Sequence, residues 1–165
     1  MQNLIQIRKY SVCDYSIFKK MFTQYFTHDF NINLTDEQFQ NICEHIEKQV
    51  LEKIQFVDLL ILDGIVIGFI NYQIDSPKSD WNFKETWGCI REVFIDLNFR
   101  KKGYATKLIN HAETELRNLL VPGIYLTADS NFDFWIKMGY TNTGEVCAAN
   151  NSNIFVSNAV LHNKN

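Results

Sequence analysis

The segment from Ile90 to Leu116 constrains this chain more than any other part of it. An apolar run, Ile90-Arg-Glu-Val-Phe-Ile95, enters a basic turn, Arg100-Lys-Lys-Gly-Tyr-Ala105. Apolar residues then recur at helical spacing: Tyr104, Leu108, Ala112 and Leu116, with Ile109 beside them. This pattern predicts a strand, a turn opened by one glycine, and an amphipathic helix. The first amides of a helix lack intrahelical acceptors, and the helix dipole adds about half a positive charge at that end. Such a start attracts phosphate. Gly103 lets the backbone approach a ligand closely, and Arg100, Lys101 and Lys102 put cations beside it. The segment matches neither Gly-x-x-x-x-Gly-Lys-Ser/Thr nor Gly-x-Gly-x-x-Gly, so both common nucleotide-binding loops lose support.

The flanking sequence supplies the rest of a mixed α/β domain. Leu4, Ile5 and Ile7 begin a first strand. Asp14 is the expected cap of a helix carrying Ile17, Phe18, Met21, Phe22, Tyr25 and Phe26. Its rings either pack on a sheet, the favoured expectation, or line a substrate pocket. After Asn31–Asn33, Thr35 and Gln38 match a capping box ahead of a second helix with Phe39, Ile42, Cys43, Ile46, Val50 and Leu51. Two apolar runs, 56–62 and 65–70, flank Asp63-Gly64, a strong hairpin signal. A loop over Asp75–Asn82 precedes a strand at Trp87–Ile95, and Pro122-Gly123 ends the helix that starts at Gly103. A short strand at Ile124–Thr127, a helix near Asn131–Met138 stopped by Gly139, and strands near Tyr140–Val146 and Ile154–Leu161 complete the chain. The expected architecture is a mixed, mostly antiparallel sheet of six to seven strands with about four helices.

Composition narrows the partners. At 165 residues the chain is expected to be a single domain spanning 1–165. Its net charge of −3 argues against nucleic acid, whose phosphates call for a basic face. Cys13, Cys43, Cys89 and Cys147 form no CxxC pair, and His28, His45, His111 and His162 match no zinc signature, so no metal is expected. No stretch approaches the ~20 apolar residues of a membrane span, and the N-terminus lacks a signal-peptide core. A cytoplasmic protein with reduced thiols is expected.

Arg100-Lys-Lys-Gly103-Tyr-Ala105 resembles motif A of the GNAT N-acetyltransferase superfamily, Arg/Gln-x-x-Gly-x-Gly/Ala. Asp129-Ser-Asn-Phe-Asp-Phe-Trp-Ile-Lys-Met-Gly139-Tyr140 resembles the later aromatic-x-x-x-Gly-aromatic helix of that family, and the hairpin and two leading helices fall in the family's order. The resemblance covers roughly Leu4 to Leu161. It implies an acetyl-CoA-dependent N-acetyltransferase with the GNAT fold. Backbone groups of Val93, Phe94 and Ile95 would pair with the pantetheine arm. The amides from Lys101 through Gly103 and Tyr104 to Ala105, with Arg100 nearby, would hold the pyrophosphate. Asn131 and Trp135 would contact the cofactor from the later helix, although Asn131 stands out of register with the family's Asn.

Direct attack of an amine on the thioester calls for a base, because an alkyl ammonium of pKa ~10.4 lies about three units from neutrality at pH 7. Glu92 is the candidate base: it stands in an apolar run, where desolvation would raise its pKa; the alternative is an ion pair with Arg91 or a distant Lys. The family's acid tyrosine is replaced by Trp135, whose indole N–H is too weak an acid. Tyr140 is the substitute candidate, and a core aromatic is the competing assignment. The expected acceptor is a primary amine of a small molecule, with a homodimer as the candidate assembly. Acetylation of a protein N-terminus or lysine, and a catalytically idle acyl-CoA sensor, are the alternatives.

Overall fold

The computed structural model describes residues 2–159. Seven strands form one sheet in the order β1 (Ile5–Lys9), β2 (Gln55–Leu62), β3 (Ile65–Ile74), β4 (Gly88–Ile95), β5 (Ile124–Ala128), β7 (Asn153–Ser157), β6 (Tyr140–Val146). β1 runs antiparallel to β2, β4 parallel to β5, and β7 antiparallel to both β5 and β6. The helices are α1 (Tyr15–Gln24), α2 (Asp36–Leu51), α3 (Tyr104–Asn118) and α4 (Phe132–Lys137). This is the mixed sheet with four helices expected from the sequence. The expected last strand reaches Leu161, and its residues 160–161 lie outside the described ones.

Local signals explain most boundaries. Thr35 and Gln38 form the capping box: Gln38 N–H donates to Thr35 Oγ1 at 3.2 Å, and Thr35 N–H to Gln38 Oε1 at 2.9 Å. Asp63 and Gly64 both take positive φ, 49° and 83°, as a two-residue hairpin turn between right-twisted strands requires. One expectation is corrected. Asp14 precedes α1 but makes no side-chain cap bond to it. Its carboxylate turns back instead, accepting from Arg8 Nη1 and Nη2 at 2.7 and 2.8 Å and from Ser11 N–H at 2.8 Å. Two charge-assisted bonds outweigh one neutral cap, and the Arg8 bonds hold the Asp14 carboxyl below its ordinary pKa.

The chain divides into two compact units: the residues through Asn71 with Glu92–Leu108, and Tyr72–Arg91 with the residues from Ile109 onward. In the first, the rings of α1 pack on the strands, as favoured. Phe18, Met21, Phe22 and Tyr25 are buried with Val57, Leu59, Phe69 and Phe94. Burying each such side chain contributes about 1.5–3 kcal/mol. The last turn of α1 widens into a π-turn over Tyr25–Asp29. A buried polar chain crosses this unit: Asn71 Nδ2 donates to Gln55 Oε1 and Gln55 Nε2 to Gln49 Oε1, each at 2.7 Å.

The second unit is organised around Asp75, 1% exposed. It accepts from Tyr125 Oη at 2.6 Å, Gln73 Nε2 at 2.8 Å, and the Phe83 and Lys84 amides at 3.0 Å. These bonds fasten the loop that precedes β4. Asp75→Ala strands four donors in a dry interior, where each unmade bond costs about 1–3 kcal/mol. We expect a loss of at least ~3 kcal/mol, read from the urea midpoint, with m unchanged. A loss below ~1 kcal/mol contradicts this account of the loop.

Candidate active site

β4 is not a regular strand. The Asp75 N–H donates to the Trp87 carbonyl, and the Asp96 N–H donates to the Ile67 carbonyl. Ile67 to Asp75 is eight steps along β3, whereas Trp87 to Asp96 is nine along β4, so β4 holds one extra residue. Side chains place it. Gln73 and Phe69 share a face of β3 by the strand's period of two. Arg91 donates to Gln73 Oε1 at 2.9 Å, and the Phe94 ring stacks on Phe69 at 5.8 Å. Arg91 and Phe94 differ by an odd number and yet reach the same face, so a β-bulge lies between them.

The bulge carries Glu92, half-buried, and Tyr25 of the π-turn packs beside this strand, its ring 5.9 Å from that of Phe94. Burial first, then the nearby negative charge of Glu92, holds the Tyr25 phenol well above its ordinary pKa. Gly68 of β3 faces the same stretch. A Cβ there would lie 2.4 Å from the Phe94 carbonyl oxygen and 2.8 Å from Ile95 Cδ1, so only glycine admits this approach of the strands.

Beyond β4 the chain makes the expected turn. Lys101 and Gly103 take positive φ, 62° and 83°, flanking Lys102, and α3 begins at Tyr104. Lys101, Lys102 and Gly103 are exposed, and a Cβ on Gly103 would meet nothing within 4 Å. The first helical bond runs from the Lys107 N–H to the Gly103 carbonyl, so the amides before Lys107 lie in the first turn, where no intrahelical acceptor reaches them. Left-handed residues in such a turn point successive N–H groups into a concavity that suits an anion. Tyr104 is buried and anchors the helix start, and Ala105 is half-buried.

Arg100 is placed differently from the pyrophosphate contact expected of it. Its Nε donates to the Ile95 carbonyl at 2.8 Å, and Nη1 and Nη2 clasp the two Asp29 carboxylate oxygens at 2.9 Å. The guanidinium also lies 5.5 Å over the Phe94 ring. Asp29 balances this charge, so the positive character of the turn rests on Lys101, Lys102 and the helix start. A double-mutant cycle of Arg100→Met with Asp29→Asn should give a coupling of about 0.5–1.5 kcal/mol in urea unfolding, because the pair is bidentate but partly exposed. Zero coupling would mean the clasp contributes nothing.

The residues expected from the later helix lie in the second unit. Asn131 is left-handed, φ 57°, and precedes α4 without a side-chain cap bond. Trp135 is half-buried and edge-on to Tyr140 at 5.7 Å. Tyr140 is 1% exposed and donates to Glu113 Oε1 at 2.8 Å. Burial and Glu113 raise its pKa far above the ordinary phenol value, the reverse of what a proton donor needs. This placement is that of the core aromatic.

Among the described residues no group of His, Cys, Asp and Glu is arranged to hold a metal ion, and no helix is long and apolar enough to cross a membrane. Asp29 and Gly68 lie around this strand and turn, and the sequence did not single them out. Only Gly68 left a signal, a glycine inside a strand pattern.

The fold has many solved counterparts. The chain is similar to the PaiA N-acetyltransferase of Thermoplasma acidophilum in complex with coenzyme A, at 15% identity and a TM-score of 0.71 over 93% of this chain and 98% of that one. It is similar to a GNAT acetyltransferase of Staphylococcus aureus Mu50, at 17% identity and 0.73 over 93% and 98%. It is also similar to an acetyltransferase of Clostridium acetobutylicum solved with acetyl-CoA, at 18% identity and 0.71 over 87% and 94%. No curated protein sequence matches the chain. The sequence pattern of the Acetyltransferase (GNAT) family, however, matches residues 16–140, three-quarters of the chain and the whole stretch from α1 through the bulged strand and basic turn to α4. The chain belongs to the GNAT acetyltransferase family.

Proposed function

We propose that this protein transfers an acetyl group from acetyl-CoA to a primary amine of a small molecule, by direct attack on the thioester. The observation that carries the proposal is a carboxylate, Glu92, on the bulge of the strand that runs into a turn of left-handed residues ahead of α3. The coenzyme complexes among the similar structures support acetyl-CoA as the donor.

Acetyl-CoA would supply the activated acyl group, and the chain's residues would do the rest. Amides from Lys101 to Ala105, with the ammonium groups of Lys101 and Lys102, would bind the pyrophosphate; the open space at Gly103 fits a group that must approach the backbone. Backbone groups of Val93, Phe94 and Ile95 would align the pantetheine arm as an added strand does. The Ile95 carbonyl already accepts from Arg100, so Arg100 serves this arm by fixing the strand end. Glu92 would take the proton of the acceptor amine. The departing thiolate, with a thiol pKa near ~8.5, leaves without strong acid help, which agrees with the commitment of Tyr140 to Glu113.

That same commitment favours one second reading, an acyl-CoA sensor without turnover. Thiol release from acetyl-CoA, assayed with spermidine, glucosamine and lysine, separates the two. Amine-dependent release supports the transferase; calorimetric binding of acetyl-CoA with no release on any amine supports the sensor. Release only with peptide substrates moves the acceptor to proteins.

A further inference from the structure

We propose that Asp29 is a positioning residue for the coenzyme: through Arg100 it fixes the spacing between the end of β4 and the turn ahead of α3. The proposal rests on the reading above, in which β4 aligns the pantetheine arm and Lys101–Ala105 bind the pyrophosphate.

The connection from β4 to that turn is short and closed on itself. The Asp96 N–H still donates across the ladder to the Ile67 carbonyl. The Asp96 carbonyl then accepts from the Phe99 N–H, and its carboxylate from the Asn98 N–H, each at 2.9 Å, around the 3₁₀ turn Leu97–Phe99. Arg100 follows with extended backbone, φ −72° and ψ 164°, and its side chain folds back across this turn. Its Nε–H meets the Ile95 carbonyl at 2.8 Å. The last residue of β4 is thereby stapled to the first residue of the basic turn.

Alone, that staple is one bond from a long, rotatable side chain, and Asp29 fixes it. Both Asp29 carboxylate oxygens accept, at 2.9 Å each, from Nη1 and Nη2. A planar guanidinium held at both terminal nitrogens has the direction of its Nε–H set as well. Asp29 closes the π-turn Tyr25–Asp29 after α1, so the strand end is held from a helix and not from the loop alone. Widened turns inside helices often occur at functional sites. With Nε, Nη1 and Nη2 all engaged and the charge balanced by Asp29, the contribution of Arg100 is geometric.

Acetyl-CoA calls for such a fixed spacing. The pantetheine arm and the pyrophosphate belong to one molecule, and the second anchor adds affinity only when the two sites stand at the distance the molecule spans. Lys101, Lys102 and Gly103 are exposed, so the turn is held from its two sides. Buried Tyr104 anchors the side toward α3, and the Arg100 staple anchors the side toward β4. An ion pair with only a surface role has no use for the third bond back to the strand.

The test divides the coenzyme. Calorimetry gives the affinity for acetyl-CoA, and an amide NMR titration gives that for 3′-phospho-ADP, which keeps the pyrophosphate and lacks the arm. Asp29→Asn removes the carboxylate fork and keeps the size of the side chain. We expect acetyl-CoA to bind about 5- to 20-fold more weakly and 3′-phospho-ADP to bind within about twofold of wild type. Asp29→Glu, which restores a carboxylate, should recover most of the loss. A parallel loss for both ligands would mean that the pair shapes the turn itself. A gain for acetyl-CoA would mean that Asp29 withholds Arg100 from the pyrophosphate. Either result overturns the proposal, as does an unchanged acetyl-CoA affinity. Should Asp29→Asn fail to fold, Arg100→Lys keeps the positive charge without the planar fork and must show the same split between the ligands. Wild-type protein that binds neither ligand would refute the coenzyme reading, and the role of Asp29 would fall with it. Wild-type protein that binds both, with variants that show no split, refutes the role of Asp29 alone.

Discussion

Gly103→Val is expected to abolish measurable acetyl-CoA binding while the protein remains folded. Two features of the turn separate these effects. Gly103 has a φ of 83°, and a Cβ there meets no protein atom within 4 Å. The substitution therefore clashes with nothing inside the fold and costs only the left-handed backbone penalty, about 1–2 kcal/mol. For a chain of this size that lowers Tm by about 2–8 °C. The open space is where a pyrophosphate would approach the amides. A branched side chain filling it displaces the anion from two or more charge-assisted hydrogen bonds, each worth about 1.5–3 kcal/mol. The loss in affinity is then at least ~100-fold. Calorimetry with acetyl-CoA measures the first effect and a thermal melt the second. Unchanged affinity would move the phosphate site away from Lys101–Ala105. A collapsed melt would show that the turn is structural. Gly103→Ala should fall between wild type and Val, because its methyl group is smaller at the same strained φ.

The elements legible in the sequence are those set by neighbours in the chain. The Asp63-Gly64 hairpin, the Thr35/Gln38 capping box and the glycine-opened start of α3 each depend on residues within one turn of one another, and the structure forms all three. Asp14 shows the limit of such local rules. Its type and spacing suit a helix cap, but Arg8, across the connection from β1, offers two charged donors and takes the carboxylate away. The bulge in β4 could not be read at all, because an extra residue has meaning only against the β3 ladder. Nor could the destination of Tyr25, one of several rings on an amphipathic helix, which comes to lie beside Phe94 of β4 only after the helix packs. That Arg100 bonds Asp29, 71 residues away, could not be read from the turn itself. The turn was readable, whereas the side chains around it were assigned by long-range contacts.

Those contacts bear directly on the second large effect. Glu92→Gln is expected to lower kcat by about 10²- to 10⁴-fold at pH 7, the usual worth of a positioned base. The deficit should close as pH rises toward the acceptor's own pKa. At pH 7 an alkyl amine of pKa ~10.4 is protonated in all but about one molecule in 2,500, and reaching the free amine costs roughly 4–5 kcal/mol. A carboxylate that takes the proton within the complex recovers part of that cost; a carboxamide cannot. Near pH 10 about a quarter of the amine arrives deprotonated, and the base has far less left to do. The ratio of wild-type to variant kcat should thus fall steadily between pH 7 and pH 10, with acetyl-CoA affinity the same in both. Glutamine keeps the size of Glu92, so the Val93 amide signal should stay within its wild-type range. A ratio that stays flat with pH would mean that Glu92 acts by charge or packing and that the proton leaves by another route. A ratio that falls with pH, with Val93 unmoved, assigns the proton to Glu92 and not to a disturbed bulge.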